Sequence, residues 1–177
     1  RKRGVGYVFQ DYALFPHLTA EENVAFSRWP DRDGRNHSLE LLERMSLTHL
    51  AGRLPHQLSG GQQQRVGVAR ALAADPNVLL MDEPFGALDE MTREHMQLEL
   101  LRIWRETGTT VVFVTHSVSE STFLSSRVVV LSPRPGRIHS VIDVDLGDRT
   151  DETREDPAFF AKATEIREAL RADKDVG

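Results

Sequence analysis

Two short stretches of the sequence combine residue types that could bind a phosphate ester and activate water against it. The first, Leu58–Arg65, reads LSGGQQQR, in which Ser59 precedes two glycines and a helix-compatible run. A helix N-terminus presents free backbone N–H groups and the positive end of the helix dipole, and glycines let an anion approach the backbone closely. The pattern predicts a phosphate-binding helix start near Gly60, although an ordinary serine cap after a loop would use the same letters.

The second stretch, Asn77–Glu83, reads NVLLMDE and is an apolar strand that ends in two adjacent carboxylates. Ligands of open parallel sheets bind at the carboxyl ends of the strands, which is where this pattern places the two acids. Asp82 could hold Mg²⁺, and Glu83 could orient or deprotonate a water that attacks a phosphoryl group. The alternative is that both acids only open the turn at Pro84.

Two further polar residues follow predicted strands. His116 comes after the run TTVVFVT at 109–115 and could hydrogen-bond a terminal phosphate or the attacking water. Gln10 ends a predicted strand at 4–10, and its amide could bridge Mg²⁺ and water. Taken alone, each is as well explained as a loop residue.

The elements that would position these residues alternate between strand and helix. Strands are predicted at 4–10, 77–81 and 109–115, and the apolar runs of the second and third are typical of strands covered on both faces. A helix of about 15 residues fits between the last two strands, which is a parallel βαβ pattern. A polar turn at 27–37 precedes an amphipathic helix whose core-facing residues are predicted to be Leu39, Leu42, Met45 and Leu50. The fold class is therefore predicted to be α/β.

The last third of the chain predicts a hairpin and a helix. Val128–Leu131 and Ile138–Val144 are predicted to be strands that end the sheet as a hairpin. Asp156 and Pro157 form an N-cap and first-turn pair for a C-terminal helix. The residues on the packed face of that helix are predicted to be Phe159, Ala163, Ile166 and Leu170.

Composition and charge argue against several classes of function. The chain has 177 residues, enough for one well-buried core, and 27 acidic against 22 basic residues give a formal charge of -5. This balance offers no basic field for a phosphate backbone, so nucleic acid is not expected as a main partner. The absence of cysteine excludes a disulfide framework and a thiolate nucleophile, and it fits a reducing cytoplasm.

In order and spacing, the motifs resemble those of the nucleotide-binding subunit of ATP-binding cassette (ABC) transporters. Leu58–Gln62 is similar to the family's signature motif, and Val78–Glu83 resembles the Walker B motif with its catalytic glutamate. Gly86–Asp89 is similar to the D-loop and His116 to the switch histidine. Gln10 and the segment after it resemble the Q-loop and the surface that docks on the membrane subunits.

This resemblance covers residues 4–132 and implies a fold and a division of the chain. The implied fold is a P-loop NTPase-like parallel sheet core with a helical signature subdomain. The helical subdomain is expected at about 19–70, a RecA-like core at about 71–145 and a C-terminal helical extension at about 146–177.

The resemblance also implies a composite site for ATP and Mg²⁺. Four residues of the signature motif would contact the γ-phosphate of an ATP molecule held mainly by the opposite subunit of a dimer. These residues are Ser59, Gly60, Gly61 and Gln62.

The remaining site residues have separate roles in this implied mechanism. Asp82 and Gln10 would serve Mg²⁺, and Gln10 would also take part in catalysis. Glu83 would serve the attacking water and His116 the γ-phosphate. Asp89 would couple the two sites across the dimer interface.

A finer resemblance concerns the transport system. The stretch VVVLSPRPGRI, Val128–Ile138, and the C-terminal helix resemble importer ATPases of the nitrate, sulfonate and taurine group. The implied partners are permease subunits, a second ATP-binding subunit in a homodimer and, indirectly, an extracytoplasmic solute-binding protein. The implied place is peripheral, at the cytoplasmic face of the plasma (inner) membrane. Leu14, Phe15 and Leu18 are candidates for the groove that receives a permease helix, and burial under the helical segment is the alternative.

One departure from the family pattern is the absence of the Walker A loop, G-x-x-x-x-G-K-S/T. The only lysines are Lys2, Lys162 and Lys174, and none lies in a glycine-rich loop. That loop precedes the Q-loop in the family, so we expect an N-terminal portion to be missing and the 177-residue polypeptide to be inactive by itself. A non-catalytic docking module is the alternative function. A DNA-repair type of ABC ATPase is less favoured, because the interval from Gln10 to Ser59 is short and the charge is acidic.

Overall fold

The structure is a computed structural model that describes residues 4–9, 13–28 and 34–172. The chain divides into two compact units, residues 1–114 and residues 115–177. The first unit carries a parallel sheet with four α-helices, and the second carries a hairpin with two α-helices. Among the described helices, none has the length and the hydropathy that crossing a bilayer requires.

The sheet of the first unit has three parallel strands with β2 in the centre. They are β1 (Val5–Val8), β2 (Val78–Asp82) and β3 (Thr110–Val114), in the spatial order β1-β2-β3. Asp82 pairs with Val114, so the carboxyl end of β2 lies level with that of β3. The predicted parallel α/β arrangement is confirmed.

The prediction that β2 and β3 are covered on both faces is wrong for the described structure. Side chains alternate between the two faces of a strand, and here only one face is covered. Val8, Leu79 and Met81 are buried, whereas Val112 and Val114 are 52% and 56% exposed. A continuous apolar run identified the strands correctly but could not reveal which face this chain covers.

The helices of the first unit are α1 (Ala20–Ala25), α2 (Gly34–Arg44), α3 (Gly60–Leu72) and α4 (Glu90–Thr107). Short 3₁₀ turns at 26–28, 48–50 and 55–57 connect them. The helix predicted between β2 and β3 is confirmed as α4, with 18 residues. It ends at Gly108, whose φ of 64° lets the chain turn sharply away from the helix.

The boundaries of α2 differ from the prediction at both ends. The helix begins at Gly34, inside the predicted polar turn. It ends through a Schellman motif, in which Leu47 N donates to Leu42 O at 2.7 Å and Ser46 N donates to Glu43 O at 2.8 Å. Ser46 takes the left-handed conformation that such an end requires, with φ of 57°. Leu50 therefore lies in a later 3₁₀ turn and not on α2.

The second unit contains α5 (Val118–Leu124), β4 (Arg127–Leu131), β5 (Ile138–Asp143) and α6 (Pro157–Ala172). A 3₁₀ turn at 151–155 precedes α6. The predicted hairpin is confirmed, because β4 and β5 pair antiparallel. In the described structure, however, they form a two-stranded sheet of their own and do not extend the parallel sheet.

A small apolar core joins α6 to the hairpin of this unit. Its buried members are Val130, Ile142, Val144 and Ile166. The predicted start of α6 is confirmed by Asp156, whose Oδ1 accepts from Ala158 N at 2.7 Å. Leu170 was predicted to pack but is 39% exposed, because it lies one turn beyond Ile166 and past the hairpin core.

Candidate functional site

The start of α3 is built by the signature-like residues themselves. Ser59 is the N-cap, and its Oγ accepts from Gln62 N at 3.3 Å. Gln62 Oε1 accepts in return from Ser59 N at 2.8 Å, which completes a capping box. The first turn contains no acidic residue, so no carboxylate there offsets the positive end of the helix dipole. The predicted helix start at Gly60 is confirmed, and its role in phosphate binding stays a prediction.

The two glycines of this turn have different surroundings. A Cβ on Gly60 would meet only Ala87 Cβ at 4.0 Å, so the fold leaves room for a side chain there. A Cβ on Gly61 would lie 2.9 Å from Leu88 Cδ2. A methyl group at position 61 would therefore require the buried side chain of Leu88 to shift, whereas nothing in the packing explains a glycine at position 60.

The two acids lie at the carboxyl edge of the sheet, as predicted. Asp82 is the last residue of the central strand, and Glu83 follows with φ of 46°, a left-handed conformation that is rare outside glycine. Glu83 N donates to Val114 O at 2.9 Å. The carbonyl oxygen of Glu83 accepts from Gly86 N at 3.2 Å and from Gln64 Nε2 at 3.2 Å. Both sides of this residue's main chain are therefore fixed.

The carboxylates at this edge can be compared with the ligands that Mg²⁺ requires. Within the described parts of the chain, no group of three or more His, Asp or Glu side chains could hold a metal ion. Mg²⁺ in nucleotide sites is commonly bound by one or two carboxylates together with substrate phosphates. Asp82, a half-buried carboxylate at the strand end, fits that smaller requirement.

Asp89 has a structural role that the sequence did not reveal. It is the N-cap of α4, and its Oδ1 accepts from Thr92 N at 3.0 Å. This hydrogen bond, with a smaller contribution from the positive charge of Arg65, lowers the pKa of the Asp89 carboxyl. The Arg65 guanidinium donates to Met45 O at 2.9 Å, and burial lowers its pKa. The predicted role of Asp89 in coupling two sites across a dimer interface remains a prediction.

His116 belongs to the second compact unit and is exposed, just before α5. The residues on either side of it are tied to a buried acid that the sequence analysis missed. Thr115 Oγ1 donates to Glu120 Oε2 at 2.6 Å, and Ser117 Oγ accepts from Glu120 N at 3.2 Å. Ser117 N also donates to Thr115 Oγ1 at 3.0 Å. Glu120 thus orders the turn that carries His116.

Gln10 lies outside the described residues, so its predicted roles in catalysis and Mg²⁺ binding stay predictions. The loop that follows it is described from residue 13. Its apolar residues Leu14, Phe15 and Leu18 are each half-buried. This degree of burial does not decide between a groove for a permease helix and burial under the helical segment.

Asn23 organises this loop from inside. It is fully buried on α1, where its Oδ1 accepts from Phe15 N at 2.8 Å. Its Nδ2 donates to Phe15 O at 3.1 Å and to Leu18 O at 2.9 Å. A single amide therefore replaces regular secondary structure in satisfying the main chain of the loop.

An aromatic pair reaches the surface beside the loop. The rings of Phe15 and Phe26 lie 4.4 Å apart, and Phe26 is 51% exposed. The Arg70 guanidinium lies 5.4 Å from the centre of the Phe15 ring and donates to Ala13 O at 2.8 Å. Neither Phe26 nor Arg70 was predicted from the sequence to belong to this surface, because the exposure of the ring is decided by the fold.

A cleft in the described first unit lies away from these residues. It has a volume of about 270 Å³ and lies at the amino ends of β2 and β3, between Asn77 and Thr109. Its charged side chains neutralise one another, since Arg44 contacts Glu106 at 2.8 Å and Glu40 at 3.3 Å. The acids at the carboxyl ends of the strands lie at the opposite edge of the sheet.

Comparisons with known proteins agree with the geometry. A sequence model described as ABC transporter matches residues 1–86. A taurine import ATP-binding protein of Rhizobium johnstonii is 45% identical over 181 residues, an alignment that covers 97% of this chain and 69% of the relative. An aliphatic sulfonates import ATP-binding protein of Bacillus cereus is 48% identical over 142 residues, covering 80% of this chain and 57% of the relative. The chain thus spans between about half and two thirds of the length of these relatives.

Solved structures give the same fold. A dimeric ATP-binding cassette in a post-hydrolysis state, bound to ADP and Pi, matches with a TM-score of 0.73 and 37% identity. The match covers 82% of this chain and 65% of that one. A dimeric bacterial ABC transporter cassette matches with a TM-score of 0.74, 38% identity and the same coverage.

Proposed function

The chain belongs to the ABC transporter family, and we propose that it forms part of the ATP-hydrolysing subunit of an importer. The observation that carries this proposal is the position of Glu83. Its main chain is held in a left-handed turn at the carboxyl edge of a parallel sheet, and the segment that follows packs against the signature helix. An acid fixed in this way can serve as the base or the orienting group for water.

The two acids divide the chemistry between them. Asp82 is the candidate Mg²⁺ ligand, and the ion would neutralise charge on the β- and γ-phosphates. Glu83 follows directly with a left-handed backbone, from which the two carboxylates would diverge. Glu83 would accept the proton of the attacking water or orient it. His116 and Gln10 are proposed to contact the γ-phosphate and the water as the family pattern implies.

The start of α3 is the proposed second half of the site. Its first turn has an uncompensated helix dipole and open space at Gly60, which together suit a phosphate group. The ATP at this surface would be held mainly by a second copy of the subunit, in a homodimer. One solved relative, a dimer bound to ADP and Pi, supports this arrangement by similarity. Asp89 would lie at the interface between the copies and couple the two sites.

The transport partners follow from the relatives and from one surface. We assign the importer to the taurine or aliphatic sulfonate type, a member of the nitrate, sulfonate and taurine group, because the relatives carry those names. The exposed ring of Phe26, which packs at a tilt against Phe15, is the proposed contact for a permease subunit. The subunit would then work peripherally at the cytoplasmic face of the plasma membrane, and an extracytoplasmic solute-binding protein would deliver the cargo.

The 177-residue polypeptide alone is proposed to be inactive. Its sequence contains no G-x-x-x-x-G-K-S/T loop to grip the β- and γ-phosphates. Clear Mg²⁺-dependent ATP turnover by this polypeptide would refute that part of the proposal. The mass and N-terminal sequence of the native protein address the alternative: a longer chain with such a loop fits the ATPase, and a chain that begins at Arg1 fits a non-catalytic docking module.

The decisive experiment is the substitution Glu83→Gln in the complete ATP-binding subunit that contains this chain. Loss of a general base is expected to lower turnover by about 10²-fold or more, while ATP binding is retained. Glu90→Gln is the matched control, because Glu90 is an exposed acid in the first turn of α4. Equal turnover in the Glu83 variant and the wild type would contradict the proposed function.

A further inference from the structure

Gln64 is a polar residue at a buried position on α3, where its burial is unfavourable for stability. It is only 2% exposed and lies in a helix whose other buried residues are apolar or glycine, such as Val66 and Val68. Its Oε1 is buried and makes no hydrogen bond to any described part of the chain. A buried acceptor without a partner destabilises the folded state. Stability alone therefore does not account for a glutamine here.

The other end of the same amide makes one contact outside its helix. Gln64 Nε2 donates to the carbonyl oxygen of Glu83 at 3.2 Å, across 19 positions of sequence. That carbonyl also accepts from Gly86 N, so it would keep a partner without the glutamine. The hydrogen bond from Gln64 therefore restrains the orientation of the Glu83 carbonyl group. It is not needed to give that carbonyl a partner.

Glu83 is a residue whose conformation needs such support. A left-handed conformation is unfavourable for a residue with a side chain, and it persists where the surroundings hold it in place. The Val114 carbonyl holds the N–H of Glu83 from β3, and Gln64 holds its carbonyl from α3. The placement of the carboxylate consequently depends on where α3 lies.

We propose that Gln64 is a positioning residue that ties the placement of Glu83 to the signature helix. The inference rests on the proposed function. Gly60, the proposed phosphate contact, and Gln64 are four residues apart on α3, which is about one helical turn or 6 Å of rise. A nucleotide that fixes the start of α3 would fix the direction of the Glu83 carbonyl through this amide. Water activation at Glu83 would then require an occupied signature motif.

The test is Gln64→Met in the complete ATP-binding subunit, assembled with its membrane subunits. Methionine matches the length of glutamine and removes both the donor and the unpaired acceptor. We expect kcat to fall about tenfold or more, because small misplacements of a reacting group have effects of this size. The KM for ATP should stay within about twofold. The melting temperature should be unchanged or higher, which a merely structural role would not produce.

Gln97→Met is the matched control. Gln97 is also 2% exposed and lies on α4, outside the proposed site, so the same chemical change is made at an equally buried position. Its kcat per folded molecule should equal that of the wild type. If Gln64→Met does not fold, Gln64→Leu removes the same donor with a smaller side chain and is expected to give the same loss of kcat.

The outcomes separate the inference from the function beneath it. A wild-type kcat in a folded Gln64 variant would overturn the positioning role and leave the proposed function intact. An equal loss of kcat in the Gln97 variant would also overturn it, since the effect would then be general to buried glutamines. Absence of ATP turnover in the wild-type assembly would overturn the proposed function and the positioning role together.

Discussion

Two helix starts, those of α3 and α4, are capped in the same way but carry different charge in their first turns. Ser59 caps α3 and Asp89 caps α4, and each side chain accepts from the backbone N–H three residues on. The first turn of α3 has two glycines and no acid, whereas Glu90 follows the cap of α4. The carboxylates at the start of α4 compensate its dipole. The start of α3 has no carboxylate, so its dipole remains available to an anion. A helix start thus becomes a candidate phosphate site through what its first turn leaves out.

The largest expected effect comes from giving α3 the cap of α4. Ser59→Asp keeps a good N-cap, so the free energy of unfolding should change by less than about 0.5 kcal/mol. Like charges brought together at an interface cost several kcal/mol, so ATP turnover of the complete subunit should fall by about 100-fold or more. Ser59→Asn is the control, because it caps equally well without charge. Equal turnover in the two variants would show that no phosphate approaches this turn.

A second, smaller effect should separate the two glycines of α3. Gly61→Ala places a methyl group 2.9 Å from Leu88 Cδ2, so the buried Leu88 side chain must shift, and the variant should be about 1 kcal/mol less stable than Gly60→Ala. Gly60→Ala meets only Ala87 Cβ at 4.0 Å, an ordinary contact, and should be neutral or stabilising by about 0.4–1 kcal/mol. Chemical unfolding of the complete subunit measures both. Equal stability of the two variants would contradict this difference in packing.

If Gly60→Ala leaves the stability intact, its turnover becomes informative. A methyl group at this exposed position would obstruct an anion that approaches the backbone N–H groups. We therefore expect turnover to fall although the fold is unaffected. Full turnover with full stability would leave glycine at position 60 without a function in phosphate binding.

The smallest expected effect concerns the cap of α4 and its dependence on pH. The N–H of Thr92 lowers the pKa of the Asp89 carboxyl in the folded state. A lowered pKa means that ionised Asp89 stabilises the fold above its unfolded pKa, and that this stabilisation is lost as pH falls through the folded pKa. Asp89→Asn keeps the cap without the charge, so the wild type should exceed it in melting temperature near neutral pH and converge with it in acid. A difference that does not vary with pH would contradict this cause.

Much of the candidate site could be predicted because its signals are local. The acids Asp82 and Glu83 follow an apolar run, and strands of such runs end at the same edge of a parallel sheet. The helix start at Gly60 follows from a serine and a glutamine at capping-box spacing. The hairpin partners β4 and β5 and the start of α6 were identified for the same reason: proline, glycine and aspartate limit the backbone over a few residues.

The residues that the sequence analysis missed are buried polar groups whose partners are distant or irregular. In the sequence Gln64 is one of three consecutive glutamines. Only the folded structure shows that it is buried and donates a hydrogen bond to the carbonyl oxygen of Glu83. Asn23 and Glu120 likewise hold loops in place, and neither was predicted from the sequence to do so. The end of α2 was also missed, because its left-handed residue is Ser46 and not glycine, the usual signal.

The sequence by itself determined the chemistry and the order of the elements: a strand that ends in two acids, a glycine-rich helix start, and the family to which these motifs belong. Those features depend on residue type and short spacing, which the chain carries wherever it folds. Only the tertiary structure decided which face of the sheet is covered, why Gly61 differs from Gly60, and which amide holds Glu83 in its left-handed turn. These depend on contacts between distant segments, because burial and close approach are set by what packs against a residue and not by its neighbours in sequence.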